Sequence, residues 1–192
     1  HLYDGLEEDL CTGEELLIPG PAGNIEVLTT CPQCYQEERP IAVVCHPHPL
    51  YGGSMRNKVV HILAETFNGM GLLTVTFNFR GVEKSGGRYA KGIGETEDLQ
   101  AVVDYFRQRY PRAPLWLAGF SFGAYVALRG HQLAGAERLL LVAPPVTLFD
   151  FAELPEVEIP WMVIQGGRDE IIAPEQVSQW VVGREHRPVL RW

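Results

Sequence analysis

Residues 115–128 read LWLAGFSFGAYVAL: an apolar run ends at Gly119, one serine stands in Gly119-Phe120-Ser121-Phe122-Gly123, and a second apolar run follows. A serine hydroxyl becomes a nucleophile only where a base takes its proton, an acid orients that base, and N–H donors meet the oxyanion that attack creates. The flanking glycines have a steric purpose, because side chains two residues to either side of the serine would collide across so tight a turn. With 20 glycines and four serines in 192 residues, chance alone yields about 0.04 matches to Gly-x-Ser-x-Gly. The pattern gains meaning from a strand before it and a helix after it, and both are predicted here.

Partners for Ser121 are sought where apolar runs end, since an open α/β sheet gathers its chemistry at the carboxyl ends of its strands. The segment VVCHPHPLYGGSM follows the run 41–46 and offers backbone N–H groups to an oxyanion. The segment VIQGGRDEIIAP follows the run 160–166 and puts Asp169 just beyond it. Ser121 before Asp169 is the chain order of nucleophile and acid in such an architecture. His46 and His48 supply only two ligands with no third apparent, so no metal site is read from them. Cys31-Pro32-Gln33-Cys34 has the spacing of a redox pair or half a zinc site. No second CxxC or suitably spaced Cys/His pair follows and no helix starts at Cys31, so these are read as loop cysteines.

The elements that must hold these residues alternate along the chain. Strands are predicted at 15–20, 24–30, 41–46, 72–79, 113–119, 138–144, 160–166 and 188–192, and helices at 56–68, 95–110, 122–133 and 173–183. Near-continuous apolar strands separated by helices imply a mostly parallel sheet covered on both faces, a doubly wound α/β fold. The first two strands have no helix between them and are expected as an antiparallel edge. Residues 1–14 are acidic and weakly patterned, a flexible lead-in, and 15–192 form a single domain. Hydrophobic residues make up 46% and charged residues 21% of the chain, ordinary for a globular protein. A net charge of −8 argues against nucleic acid or an anionic membrane as partners. No signal-peptide or membrane-spanning pattern is present, and the expected location is the cytoplasm.

The blocks HPHPLYGGSMRNKVV, NFRGVEKSGGRYAKGIGETED, GFSFGAYVAL and VIQGGRDEIIAPEQV together resemble the α/β-hydrolase superfamily. The likeness is to its small, lid-less bacterial serine hydrolases, relatives of the dienelactone hydrolases, and it covers residues from about 14 to 192. The resemblance implies Ser121 as nucleophile, Asp169 as triad acid and the Phe122 N–H as one oxyanion donor. The second donor is expected from the 48–51 loop, with Leu50 the chosen candidate, and His46 and His48 are expected to shape that loop. The function implied is hydrolysis of small carboxylic esters or thioesters, with no cofactor or metal. A peptidase or amidase on the same scaffold, or a non-catalytic binding protein, are the rival readings.

Other residues are weighed beside these. Tyr51 and Phe120 are candidates to line a substrate pocket. Arg80 either binds a carboxylate or braces its loop by pairing with Glu95 or Asp98, and bracing is preferred. His61 and His131 fall in helices and are read as structural or exposed. The short connection 145–159 offers Leu148, Phe149, Phe151 and Leu154 as a flap over the site.

The triad histidine is the missing part. Only His186 follows Asp169, and a helix of roughly 15 Å returns the chain to the opposite edge of the sheet before it. The family's histidine follows the last strand, where this chain reaches Trp192. The expectation is that the native protein continues beyond Trp192, adding the histidine and a terminal helix that covers one sheet face. The 192-residue chain by itself is then expected to be nearly inactive.

Overall fold

Strands and helices alternate along the computed structural model, which describes residues 13–33, 35–167, 169 and 171–192. The strands are β1 (Glu15–Gly20), β2 (Gly23–Thr30), β3 (Ile41–Cys45), β4 (Leu73–Phe77), β5 (Leu115–Phe120), β6 (Ala136–Val142), β7 (Trp161–Ile164) and β8 (Val189–Arg191). The helices are α1 (Lys58–Gly69), α2 (Ile93–Arg109), α3 (Phe122–Ala134) and α4 (Pro174–Val182). One eight-stranded sheet runs in the order β1-β2-β4-β3-β5-β6-β7-β8. β1 pairs with β2, and β2 with β4, in antiparallel fashion, and the remaining pairs are parallel. The antiparallel edge follows from the turn Gly20–Gly23, which is too short for a crossover.

Side-chain alternation sorts the strands' residues between two cores. Ile41, Val43 and Cys45 join Leu117, Leu141 and Val163 under α2, α3 and α4, whereas Ala42 and Val44 join Ala118, Val60 and Phe67 under α1. All five residues of β3 and of β4 are buried, which explains their unbroken apolar character. On the α1 side, the face of β5 to β8 is less covered. There Trp116, Leu140, Met162 and Val189 help to line an open apolar recess of about 270 Å³. Among the described residues no helix is long and apolar enough to cross a membrane.

Element boundaries move where caps decide them. α1 starts two residues later than predicted because Asn57 caps it, Oδ1 accepting from Val59 N (2.8 Å) and Val60 N (3.3 Å). α2 starts earlier, at Ile93, because Gly92 takes a φ of 91° and Glu95 Oε1 accepts the Gly92 N–H at 2.9 Å. Most of the predicted lead-in, residues 1–12, lies outside the described residues. Glu14 is not loose: its N–H donates to Thr29 Oγ1 and its carbonyl accepts from Thr29 N, both at 2.8 Å, and its carboxylate pairs with Arg109. Cys34 also lies outside the described residues. Cys31, read as an ordinary loop cysteine, is disulfide-bonded, while Cys45 is a free, buried thiol.

Candidate active site

The parallel register brings the strand ends into one row. Cys45 pairs with Gly119, Phe120 with Val142, Val142 with Ile164, and Ile164 with Arg191. Ser121 is the residue at which β5 turns into α3, and it takes φ 55° and ψ −117°. That is a conformation an L-residue adopts at a cost of roughly 1–3 kcal/mol, held only by surrounding structure. Its N–H donates to Val142 O at 2.8 Å, and its carbonyl accepts from Ala124 N at 2.8 Å to open the helix. The two glycines are required by contact. A Cβ on Gly119 would lie 2.1 Å from Gly123 O, and one on Gly123 would lie 2.2 Å from Cys45 O. Phe122 is the first helical residue, and its N–H finds no acceptor among the described residues, which leaves a donor directly behind the serine.

The loop after β3 is built around two histidines of opposite tautomer. His46 is wholly buried; its Nε2 accepts the Phe79 N–H at 3.0 Å, so its Nδ1–H faces Pro47 O at 2.6 Å. Burial pushes its pKa down to about 4, with the Pro47 carbonyl opposing the shift, so the ring is neutral. His48 caps a single 3₁₀ turn, Pro49–Tyr51, with its Nδ1 accepting the Leu50 N–H at 3.1 Å. The Leu50 N–H, expected as the second oxyanion donor, is therefore already committed. Tyr51 N and Gly53 N are committed as well, both to His48 O. Between His48 and Gly53, the N–H groups of His48 and Gly52 are the ones with no acceptor among the described residues. His48 stands beside the serine turn, its ring 4.9 Å from that of Phe122.

Asp169 sits past the end of β7. Its Oδ1 accepts from Ile171 N (2.8 Å) and Ile172 N (3.0 Å), and its Oδ2 from Gln165 Nε2 (3.0 Å). Burial alone would raise its pKa, but these three donors outweigh it and hold the carboxyl below the usual aspartate range. Gln165 is fully buried, and its Oε1 has no partner among the described residues. Gln165 N donates to Arg191 O at 2.9 Å, which ties the end of β8 to the same corner.

The remaining candidates divide. Arg80 braces its loop: Nη2 reaches Asp98 Oδ1 at 2.9 Å and Gly94 O at 2.7 Å, and Nε reaches Asp98 Oδ2 at 3.1 Å. Its partner is Asp98 alone of the two considered, since Glu95 instead receives Ala90 N and Gly92 N. Tyr51 is 83% exposed with its ring 4.6 Å from that of His48, at the mouth of the serine turn. Phe120 ends β5 half-buried, on the sheet face of Ala118 and Trp116 rather than that of the His48 ring cluster.

Of the four flap candidates, Phe149 meets this cluster, 5.5 Å from Phe122 and 4.7 Å from Tyr125, and Leu148 beside it is exposed. Phe151 is instead a core residue packing on Trp180, and Leu154 is half-buried against the same core. His186 is on the opposite edge of the sheet, its carbonyl accepting the Trp161 indole N–H at the start of β7. His61 is exposed and paired with Glu65, and His131 is buried on Leu128 O.

Two contributors were not singled out in the sequence. Gln165 holds Asp169, and Tyr89 Oη lies 3.1 Å from His48 Nε2. Tyr89 was within the glycine-rich block at a strand end, but its contact depends on a loop path that no periodicity encodes.

Known proteins fit this geometry. Residues 38–149 match the family model described as serine aminopeptidase, S33. A 175-residue stretch is 36% identical to an uncharacterized protein of Rickettsia prowazekii, covering 87% of this chain and 71% of that one. A lid-less α/β serine hydrolase from Xanthomonas campestris superposes with a TM-score of 0.88 at 40% identity, over 93% of this chain and 82% of that one. An α/β serine hydrolase homologue from Coxiella burnetii gives 0.89 at 43% identity, over 94% of this chain and 86% of that one.

Proposed function

Because the chain belongs to the serine aminopeptidase family within the α/β-hydrolase superfamily, we propose that this hydrolase cleaves small carboxylic esters or thioesters through an acyl-enzyme on Ser121. The observation that carries the reading is the strained serine at the β5–α3 turn, with the unclaimed Phe122 N–H behind it. A φ of 55° is maintained at a cost, and such strain clusters at active sites; Glu83, Lys91 and Ala143 also take positive φ, and Ser121 is the one among them that carries a nucleophile at a strand-to-helix turn.

In this reading Ser121 Oγ attacks the substrate carbonyl carbon while a histidine takes the hydroxyl proton. Phe122 N–H and an N–H of the 48–53 loop receive the oxyanion, and His48 N replaces Leu50 N as the preferred second donor because it is unclaimed. The C–O or C–S bond then breaks and the histidine returns the proton to the leaving alcohol or thiol. Water repeats the sequence on the acyl-enzyme and releases the acid. Asp169, held ionised by its three donors, fixes the histidine's tautomer.

The histidine of this reading has to reach both Ser121 and Asp169. His46 and His48 each have both ring nitrogens hydrogen-bonded, and His186 occupies the far edge. The end of β8 is tied to Gln165 and so adjoins Asp169.

The family description favours one rival, cleavage of an amide or peptide bond. A panel of p-nitrophenyl esters, thioesters and aminoacyl p-nitroanilides on the full-length protein separates the two. Turnover of acyl esters with none of anilides supports the ester reading; the reverse preference replaces it with the peptidase reading.

A further inference from the structure

The polarity of the bonds joining two loops at the serine turn follows from counting protons. Leu50 N–H points at His48 Nδ1, so that nitrogen presents a lone pair, and in the neutral ring the proton sits on Nε2. Nε2 is 3.1 Å from Tyr89 Oη, so the imidazole donates and the phenol accepts. Burial of His48 favours this neutral ring, with Glu95 opposing. The backbone on either side of Tyr89 is also anchored. Glu95, fully buried, accepts Ala90 N–H at 2.8 Å and Gly92 N–H at 2.9 Å, while Arg80 clamps the start of the same loop to Asp98. The His48 ring itself is walled by Tyr51, Tyr89 and Phe122, with ring centroids 4.6, 4.9 and 4.9 Å away.

Resting on the reading of 48–53 as the oxyanion loop, we propose that Tyr89 is a positioning residue for the oxyanion. Its hydroxyl fixes the His48 ring, the ring fixes the Leu50 amide and the turn, and the turn aims the His48 N–H at the carbonyl oxygen held over Ser121. Tyr89 acts only through His48. An oxyanion exists in the transition state and not in the bound substrate, so the effect of disturbing this relay falls on kcat and spares KM. Loss of a whole oxyanion donor costs about 10²–10³ in kcat, and a loosened one costs less, about tenfold.

The test is a double-mutant cycle on the full-length protein with a p-nitrophenyl ester. Tyr89→Phe keeps the ring and removes only the hydroxyl, and is expected to lower kcat about tenfold with KM unchanged. His48→Asn retains a side-chain oxygen able to cap Leu50 N without help from Tyr89. In that background Tyr89→Phe is expected to have no further effect. An unchanged kcat, a loss confined to KM, or an undiminished effect in the His48→Asn background overturns the proposal.

One readout needs no variant. Long-range ¹H–¹⁵N spectra of the imidazoles are expected to show an Nε2–H tautomer at His48 and an Nδ1–H tautomer at His46, and an Nδ1–H at His48 overturns the relay. Wild-type ester hydrolysis that survives in Ser121→Ala would sink the serine reading itself. Hydrolysis that depends on Ser121 but is indifferent to Tyr89 sinks only this proposal.

Discussion

Gly123→Ala isolates the serine turn as a mechanical object. Gly123 has an ordinary helical backbone, so alanine there incurs no left-handed strain and gains roughly 1 kcal/mol of helix propensity. What opposes it is contact: the new Cβ would lie 2.2 Å from Cys45 O, 2.5 Å from Cys45 C and 2.6 Å from His46 O. These are backbone atoms of β3 and the loop that follows it, which no rotamer change can move. Restoring an acceptable contact requires the first turn of α3 and the end of β3 to part by roughly 1 Å, and overpacking of this kind costs about 1–3 kcal/mol.

In the proposed reading the functional cost is larger than the stability cost, because the displaced atoms carry both Ser121 and the proposed oxyanion donors. A misplacement of about 1 Å costs about 10² in rate. Gly130→Ala in the same helix is the control, where the new Cβ meets only the side-chain carbons Thr96 Cγ2 at 3.1 Å and Leu99 Cδ2 at 3.2 Å. Thermal melts and kcat/KM on a p-nitrophenyl ester are measured for both variants. A Gly123→Ala protein with wild-type rate and melting temperature would refute the claim that glycine is required there by contact.

Two further predictions concern protonation. The His46 pKa, lowered from 6.5 to about 4 by burial, means that the unfolded chain takes up a proton below pH 6.5 that the folded chain refuses until pH 4. Stability from this group is therefore complete above pH 6.5 and is lost as pH falls through that window, by about 3 kcal/mol in all. Urea unfolding at pH 7, 6, 5 and 4 checks this, and His48 and His131, also lowered by burial, add in the same direction. Gln165→Leu removes one of three donors to Asp169, so the carboxyl pKa rises, and the Asp169 carboxyl titration followed by NMR is expected to move to higher pH.

Much of the arrangement is visible in residue order because strand ends and glycines are local signals. The apolar runs and their spacing predict the sheet and its antiparallel edge, and Gly119 and Gly123 mark the turn that displays Ser121. Asp169 is legible from its position past a strand end. A donor in the β3 loop is not, because it depends on which N–H groups the loop consumes internally: Leu50 N, the expected one, is spent on His48. Phe151 carries the same apolar signal as Phe149, and only the path of the 145–159 segment separates core from mouth. Arg80 was legible as a brace, but the choice of Asp98 over Glu95 depends on α2 beginning at Ile93, which puts Glu95 at the helix start to hold Ala90 and Gly92.

The most direct test of the account is covalent. The full-length protein is treated with a fluorophosphonate, digested, and the adduct located by mass spectrometry. Phosphonylation confined to Ser121, and abolished in Ser121→Ala, is the predicted result. An unmodified Ser121 in a folded full-length protein, or a modification that persists in Ser121→Ala, would contradict the claim that this turn displays the nucleophile.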